Sequence, residues 1–493
     1  MQLKQLTEQI QTRKIHGPTS VEIAALAYDS RQVKKDTLFV ALKGEKVDGN
    51  TFVERAIAVG ATAVVTEENV AHPRVTTIVV DNARAALADL ACAFYKNPAK
   101  RLKMAAITGT NGKTTTAFLL KHLCEAGSLR SGLFGTVRYE IGDRVIPASR
   151  TTPESLDLQD MLFKVQAEGG KAAVLEASSH ALVQDRLRGI EFDVGVFTNL
   201  TQDHLDFHKT MESYFEAKSR LFLGLLNNQR KEGKGVVNLD DRYGARLVER
   251  YGKELPITTY GLGVRADFRA SNVKIDFSGT SYQLDAKGRQ YLVRLPLIGR
   301  FNVYNSLAAL AAATALGLDL RRSVQALADA PSVPGRLQPV PSKRQFRVFV
   351  DYAHTDDALL NVIRTLRELA PNRLIVVFGC GGDRDRAKRP LMAAATEQNA
   401  DYAIVTSDNP RRENPAAIIE DIKKGFKGTA YEVVEDRKEA ITRAIAMARP
   451  RDIVLLAGKG HENYQEFADH TVPFDDVEVA RRAIEETPVE MEP

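Results

Sequence analysis

The stretch Ile107-Thr108-Gly109-Thr110-Asn111-Gly112-Lys113-Thr114-Thr115-Thr116 restricts this chain more than any other. It follows an apolar run ending in Ala105-Ala106-Ile107, whose spacing predicts a strand, and opens residues 114–126, whose pattern predicts a helix. A strand, a glycine turn and a helix N-terminus bearing Gly-Lys-Thr make a cradle for polyphosphate. Backbone N–H groups and the helix dipole attract the anion, Lys113 adds a positive charge, and the Thr114 hydroxyl can hold Mg²⁺. The common form of this loop has glycine five residues before Gly112, where this chain has Ile107. The turn rests on Gly109 and Gly112 instead, so the loop is a variant.

Composition bounds the setting. Apolar residues make up 44% and charged residues 27% of 493 positions, an ordinary globular balance with room for about three cores. The net charge of +5 comes from 68 Lys and Arg against 63 Asp and Glu, mixed along the chain. No basic arm stands out, so nucleic acid is not expected as a partner. No stretch approaches a membrane span and the N-terminal residues lack an apolar core, so neither membrane insertion nor secretion is expected. Cys92, Cys124 and Cys380 are odd in number, far apart and without CxxC spacing. That fits a cytoplasmic protein rather than a disulfide framework or a zinc site.

The hydrophobic pattern predicts an α/β fold in three domains. Residues 1–97 read as a small α/β domain with strands at 37–42, 61–66 and 77–80. Residues 98–331 read as a P-loop-type domain with a mostly parallel sheet, its strands at 104–107, 172–176, 194–198 and 235–238. Strand patterns at 281–285 and 290–296 flank Ala-Lys-Gly-Arg and predict a small antiparallel insertion. Residues 330–335, rich in Pro, Gly and Ser, mark a boundary. Residues 332–493 read as a Rossmann-like doubly wound domain with strands at 346–350, 374–378, 402–406 and 453–457. The acidic residues from Thr487 read as a frayed tail.

Several loops carry chemistry. Residues 172–176 end in Glu176, and strand C-termini in a doubly wound sheet face the ligand crevice, where a carboxylate can hold Mg²⁺. Residues 198–208 place His204 after another strand end, as a metal or phosphate ligand or as part of a polar loop. Lys218 falls inside the apolar stripe Met211, Tyr214, Phe215, Leu221 and Phe222. Such a lysine either snorkels to the surface or is buried with its charge changed. Toward the C-terminus, three loops follow strands: Gly379 to Arg386, Ser407 to Arg411, and Ala457 to Glu462. Arg389 and Arg411 suit carboxylates, and Asp408 and Glu462 suit an ammonium, so together they fit an amino acid.

Taken together, these segments resemble the Mur ligases of peptidoglycan synthesis. The resemblance covers essentially the whole chain. It rests on residues 108–116, Glu176-Ala177-Ser178-Ser179-His180, 199–208, Gly299 to Asn305, Asp351-Tyr352-Ala353-His354, 379–390, 408–411 and 458–465. It implies a monomeric cytoplasmic ATP-dependent amide ligase. Its partners would be ATP, UDP-MurNAc-L-Ala-D-Glu and an incoming amino acid, joined through an acyl phosphate. Position by position, it implies that Gly109, Thr110, Asn111, Gly112, Lys113, Thr114 and Thr115 hold ATP. Asn302, Asn305, Arg336, Asp351 and His354 would complete that site. Mg²⁺ would be held by Thr114, Glu176, His204 and Lys218, the lysine as an N-carbamate. Lys113, Glu176, His204 and Lys218 are then the catalytic set. Ser30, Thr151, Thr152, Ser178, Gln184 and Arg186 would hold the UDP-muramoyl dipeptide. Arg389, Asp408, Asn409, Arg411, Gly458 and Glu462 would hold the amino acid.

Which amino acid follows from charge. Meso-diaminopimelate carries a distal carboxylate that lysine lacks, and lysine would leave Arg411 unpaired in a partly dry site. Asp408-Asn409-Pro410-Arg411 resembles the diaminopimelate signature, so that substrate is expected over lysine. Arg411 and Asp29-Ser30-Arg31 also weigh against a folylpolyglutamate synthetase or the lysine-adding enzyme. A nonhydrolytic nucleotide-binding regulator would have lost Lys113, Glu176, His204 or Lys218, and all four are present. Two departures stand out: Glu413-Asn414-Pro415 has Asn where the family's usual pattern has Asp, and Thr355-Asp356-Asp357 has Asp where it has Pro.

Overall fold

The structure, a computed structural model, describes residues 1–44 and 47–486; the tail expected from Thr487 lies outside the described residues. Three large sheets organise it. The first comprises β1 (Lys14–His16), β2 (Ala25–Ala27), β3 (Thr37–Val40), β4 (Ala61–Thr66) and β5 (Thr76–Val79) in the order β1-β5-β4-β3-β2. Alternate residues serve its two faces: Leu38, Val40, Ala63 and Val65 join one core, and Phe39 and Val64 the other.

The second sheet is built from β6 (Lys103–Thr108), β7 (Ser131–Phe134), β8 (Arg138–Ile141), β9 (Arg144–Pro147), β10 (Ala172–Glu176), β11 (Val194–Phe197), β12 (Lys234–Asn238) and β13 (Ile257–Gly261). Their order is β13-β12-β11-β6-β10-β7-β8-β9. The run from β13 to β7 is parallel, while β8 and β9 add antiparallel strands. Strands β14 (Phe268–Asp276), β15 (Gly279–Ala286) and β16 (Arg289–Leu295) extend the β13 edge. The hairpin expected at 281–296 is thus the outer part of a three-strand addition.

The third sheet holds β17 (Gln338–Val340), β18 (Arg347–Asp351), β19 (Leu374–Phe378), β20 (Tyr402–Val405), β21 (Tyr431–Val433) and β22 (Ile453–Ala457) in the order β17-β18-β22-β19-β20-β21. All but β17 run parallel. In β19, Leu374, Val376 and Phe378 face one core, and Ile375 and Val377 the other. A strand apolar on both sides must be covered by helices on both faces. A two-stranded ribbon, β23 (Tyr464–Glu466) with β24 (Thr471–Pro473), follows β22.

Contacts divide the chain into two compact units. One comprises Met1–Ala270, Leu284–Tyr291 and Tyr304–Ala326; the other comprises Ser271–Gln283, Leu292–Val303 and the chain from Leu327 onward. Residues 1–97 and most of 98–331 share the first unit, each with its own sheet. Among the described residues no helix is long and apolar enough to cross a membrane.

Candidate functional site

In the first unit, parallel pairing brings strand ends to one edge. Glu176 of β10 pairs with Ile107 of β6, and Phe197 of β11 pairs with Thr108. The loop after β6, the Glu176 carboxylate and residues 198–204 therefore meet at the strand C-termini, where ligands of such sheets bind. A cavity of about 370 Å³ lined by Lys100, Arg101, Lys103, Arg230, Lys231 and Lys234 lies elsewhere. Lys103 and Lys234 begin β6 and β12, so it opens at the opposite ends of these strands.

The loop adopts a form that only glycine permits at two points. Gly109 and Gly112 take φ of +146° and +84°. A Cβ on Gly109 would collide with the Thr198 hydroxyl, and one on Gly112 with the Asn305 side-chain oxygen. The following segment straps the loop in place. Thr110 N–H donates to the Asn199 carbonyl, Asn111 N–H to Asn199 Oδ1 at 2.9 Å, and the Thr198 hydroxyl to the Asn111 carbonyl at 2.6 Å. The helix Lys113–Ala126 starts directly after Gly112. Lys113 Nζ folds back onto the carbonyls of Gly109 (2.9 Å) and Thr110 (2.8 Å). Asn305 accepts from the Thr116 hydroxyl at 3.5 Å, which places it beside the helix start.

Glu176 is 1% exposed. One of its oxygens accepts from the Thr114 hydroxyl (3.0 Å) and the other from Thr136 N–H (2.8 Å). Thr136 is a site residue that no sequence motif marks. Lys218 does not snorkel: it lies in the helix Met211–Leu226 with 1% exposure. Its Nζ donates to the Gly109 carbonyl at 2.7 Å and sits 4.6 Å from the Tyr214 ring centre. Among the described residues no carboxylate pairs with it, and burial, with Lys113 nearby, drives its pKa well below the usual lysine value. His204, exposed at φ +52°, packs its ring 5.0 Å from His180 and 6.0 Å from Tyr214. Burial, with His180, His204 and Lys218 alongside, pushes His208 down to about 4, and its Nε2 lies 2.8 Å from the Ser179 hydroxyl.

The residues expected for the dipeptide substrate also gather here, with one exception. The Thr152 hydroxyl donates to the Glu176 carbonyl (2.6 Å) and accepts from Ser178 N–H (3.1 Å). Arg186 donates to the Thr152 carbonyl at 3.0 Å and to Gln184 Oε1 at 2.7 Å. The Thr151 hydroxyl lies 3.1 Å from that of Thr136. Glu154, another residue without a motif signal, pairs with Arg186 (3.1 Å) and Arg150 (3.0 Å). Ser30 is buried in the turn Ser30–Gln32, and the described contacts do not join it to this group.

In the second unit, Asp351 of β18 pairs with Ala457 of β22, and Phe378 of β19 with Val405 of β20. Asp351, Gly379, Asp408 and Gly458 thus lie along one edge. The Asp351 carboxylate accepts from the N–H groups of Leu337 and Ala353, and burial raises its pKa. The Arg336 guanidinium stands 4.8 Å over the Tyr352 ring, and His354 Nδ1 lies 2.8 Å from the Tyr352 carbonyl. Asn302 is buried and donates to the Ile298 carbonyl.

Asp408, Asn409, Gly458 and Glu462 come together around a fully buried cation, Lys459, and Arg411 joins the group through Glu466, whose N–H donates to Asn409 Oδ1. Lys459 Nζ donates to Asn409 Oδ1 (2.8 Å) and Glu462 Oε2 (3.1 Å), and Asn409 Nδ2 donates to Glu462 Oε2 (2.8 Å). Gly458 takes φ +112°, and a Cβ there would stand 2.7 Å from Asp408 Oδ2. Burial alone would raise Asp408, but Lys459 and Arg437 hold it below the usual carboxylate range; burial raises Glu462. Arg411 donates through Nε to Glu466 (2.8 Å) and through Nη1 to the Gly382 carbonyl (2.9 Å). Arg389 is 1% exposed, with its guanidinium committed to Glu413 and Asp421. Asn414 caps the helix Pro415–Lys423 by accepting from Ala416 N–H, a role aspartate fills equally. Asp356 begins the helix Asp356–Arg367, where an acid complements the dipole. Both sequence departures are therefore locally compatible with the fold.

Residues 107–313 match the pattern of the Mur ligase middle domain, 335–460 that of the Mur ligase glutamate ligase domain, and 22–95 that of the Mur ligase family catalytic domain. The UDP-N-acetylmuramoyl-L-alanyl-D-glutamate--2,6-diaminopimelate ligase of Caldanaerobacter subterraneus is 44% identical over 477 residues, 96% of this chain and 97% of that protein. The chain belongs to the Mur ligase family. The ligase of the same description from Listeria monocytogenes shares 43% over 488 residues, covering 98% of this Mur ligase and 99% of its own length. A solved structure of such a 2,6-diaminopimelate ligase aligns at a TM-score of 0.71 and 36% identity, covering 98% of this chain and 99% of that one.

Two predictions follow from the geometry of this Mur ligase. Gly112→Ala forces a side chain into positive φ and onto Asn305, at a cost of about 1–3 kcal/mol. It is expected to weaken ADP binding about tenfold or more in calorimetry, about 1.4 kcal/mol; unchanged affinity would contradict the loop's role. The second concerns acid stability. Arg389 above all, with Asp383 N–H and Arg386, holds the Glu413 carboxyl at about 2 rather than 4.5. A folded-state value below the unfolded one gives stability that is present above pH 4.5 and lost as pH falls toward 2. Urea unfolding should therefore show a smaller stability loss between pH 5 and 3 in Glu413→Gln than in the wild type.

Proposed function

We propose that this Mur ligase adds meso-2,6-diaminopimelate to UDP-MurNAc-L-Ala-D-Glu, forming an amide at the expense of ATP. The observation that carries this reading is the cluster of Asp408, Asn409 and Glu462 around Lys459, with Arg411 linked to it through Glu466, which offers both charge signs to an amino acid. The relatives' printed names support the same substrate. We keep the division into domains 1–97, 98–331 and 332–493. Three buried cysteines without a disulfide suit the cytoplasm, where we place the reaction.

The chain's own groups do the following work. The loop Gly109 to Thr115 holds the phosphates of ATP through the N–H groups at the start of the helix Lys113–Ala126, while Asn199 keeps the Thr110 and Asn111 N–H groups. Lys113 opens that helix with its Nζ tied to two loop carbonyls, and we assign that charge to the phosphates. Thr151, Thr152, Ser178, Gln184, Arg186 and Ser30 are the residues we assign to the UDP-muramoyl dipeptide. The γ-phosphoryl group of ATP passes to the dipeptide's terminal carboxylate, giving an acyl phosphate and ADP. The amine of diaminopimelate attacks that carbonyl, loses a proton, and phosphate leaves as the amide forms. Positioning and charge are the protein's contribution.

The hard oxygens of Thr114 and Glu176, 3.0 Å apart, fit Mg²⁺. The Lys218 ammonium does not fit it. Mg²⁺, when bound, supplies positive charge to the phosphoryl oxygens. We read Lys218 as an N-carbamate in the working enzyme, because carbamylation converts a buried cation that no carboxylate pairs with among the described residues into an oxygen donor. His204 is the remaining donor we assign. Asn302, Asn305, Arg336, Asp351 and His354 are the further ATP contacts we infer, and Arg389, Asp408, Asn409, Arg411, Gly458 and Glu462 are the set we assign to the amino acid. Omitting reaction components one at a time tests this reading. Phosphate release should require ATP, Mg²⁺, the UDP-dipeptide and diaminopimelate together; release independent of the dipeptide would refute it.

A further inference from the structure

We propose that Glu466 is a positioning residue for amino-acid selection, acting by anchoring Arg411. The proposal rests on the amino-acid reading of the Arg411 loop. Arg411 is held from two sides by one residue: its N–H donates to the Glu466 carbonyl at 3.0 Å, and its Nε to the Glu466 carboxylate at 2.8 Å. Nη1 is fixed on the Gly382 carbonyl. The backbone at Arg411 takes φ +50°, a conformation disfavoured for arginine that persists only where surroundings enforce it. Glu466 can enforce it because it lies on a paired ribbon and because its own N–H donates to Asn409 Oδ1 at 3.0 Å.

This arrangement changes how diaminopimelate would be told from lysine. Sequence reasoning expects lysine to leave Arg411 unpaired. In the structure Arg411 already has a carboxylate partner, so lysine costs no orphaned charge. Selection instead depends on Nη2, which has no partner among the described residues and whose direction is fixed by the contacts at Nε and Nη1. A distal carboxylate meets a donor that is already ordered, and so loses less freedom on binding. Lysine offers nothing for that donor to meet.

The test compares steady-state kinetics of wild type, Glu466→Ala and Glu466→Gln with meso-diaminopimelate and with L-lysine. Glu466→Ala should raise the diaminopimelate KM about tenfold, leave kcat within about threefold, and shift lysine constants by less than about twofold. Glu466→Gln keeps an acceptor for Nε and should stay within about threefold of wild type. Glu466 is 40% exposed, so neither variant should alter the melting temperature. Equal effects on both amino acids, or none on either, would overturn the positioning role. If the wild type makes no amide with diaminopimelate, the functional reading fails first. If it does and Glu466→Ala matches it, the role of Glu466 fails alone.

Discussion

Lys218→Ala is expected to lower kcat by about 10²–10³-fold, the scale of losing one charge-stabilising group from a preorganised site. The reason is local. Lys218 is buried beneath the glycine loop, hydrogen-bonded to Gly109, and among the described residues no carboxylate forms an ion pair with it; Asp203 offsets its charge only from a distance. A neutral amine is the form that reacts with CO₂, and burial favours that form. Added bicarbonate should not restore the variant. A carbamate ¹³C signal should appear in wild type supplied with labelled bicarbonate and be absent from Lys218→Ala. Circular dichroism and melting temperature control for folding, with Lys218→Met as a variant that fills the same space. Near-normal turnover in both variants would remove the carbamate from the mechanism.

Arg437→Ala is expected to destabilise the second unit by about 3–5 kcal/mol, because it strands a buried carboxylate. Arg437 and Asp476 are both completely buried, joined by two hydrogen bonds of 2.8 and 2.6 Å. Arg437 also donates to the Ala457 carbonyl, directly before Gly458, so the pair underlies the loop proposed to hold the amino acid. Replacing both partners, as Arg437→Met with Asp476→Leu, should recover most of the loss, since an apolar pair leaves no stranded charge. Urea unfolding of the three variants decides the matter. A double variant no more stable than the single one would show that the pair's value lies in geometry rather than in compensation.

The strand framework was legible because buried parallel strands leave apolar runs. Those expected at 61–66, 172–176, 374–378 and 453–457 form over the same residues, and others shift by one or two positions at their ends. Strands β7 to β9 were not legible. Ser131-Gly132 breaks the first, and all of Arg144–Pro147 is exposed, so no apolar period marks it. The strand–turn–helix form of the loop after β6 was legible through its glycines and Lys-Thr, and the structure supplies the reason for those glycines in Thr198 and Asn305. Lys218 was half legible: the stripe flagged it, but burial could not be read from spacing. Arg389 and Arg411 looked alike in sequence as carboxylate binders. The structure separates them, Arg389 being buried on Glu413 and Asp421 while Arg411 is only partly covered. Thr136 and Glu466 act through neighbours distant in sequence, and such partners leave no local pattern; Lys459 and Glu154 combine a near partner, Glu462 or Arg150, with a distant one, Asn409 or Arg186.

One competition measures the joining of this amino acid to this dipeptide. The protein is incubated with ATP, Mg²⁺ and UDP-MurNAc-L-Ala-D-Glu in an equal mixture of meso-diaminopimelate and L-lysine, and products are weighed by mass spectrometry. Nearly all the tripeptide product should carry diaminopimelate. Equal amounts of the two products would contradict the selection, and no tripeptide with either amino acid would contradict the ligase itself.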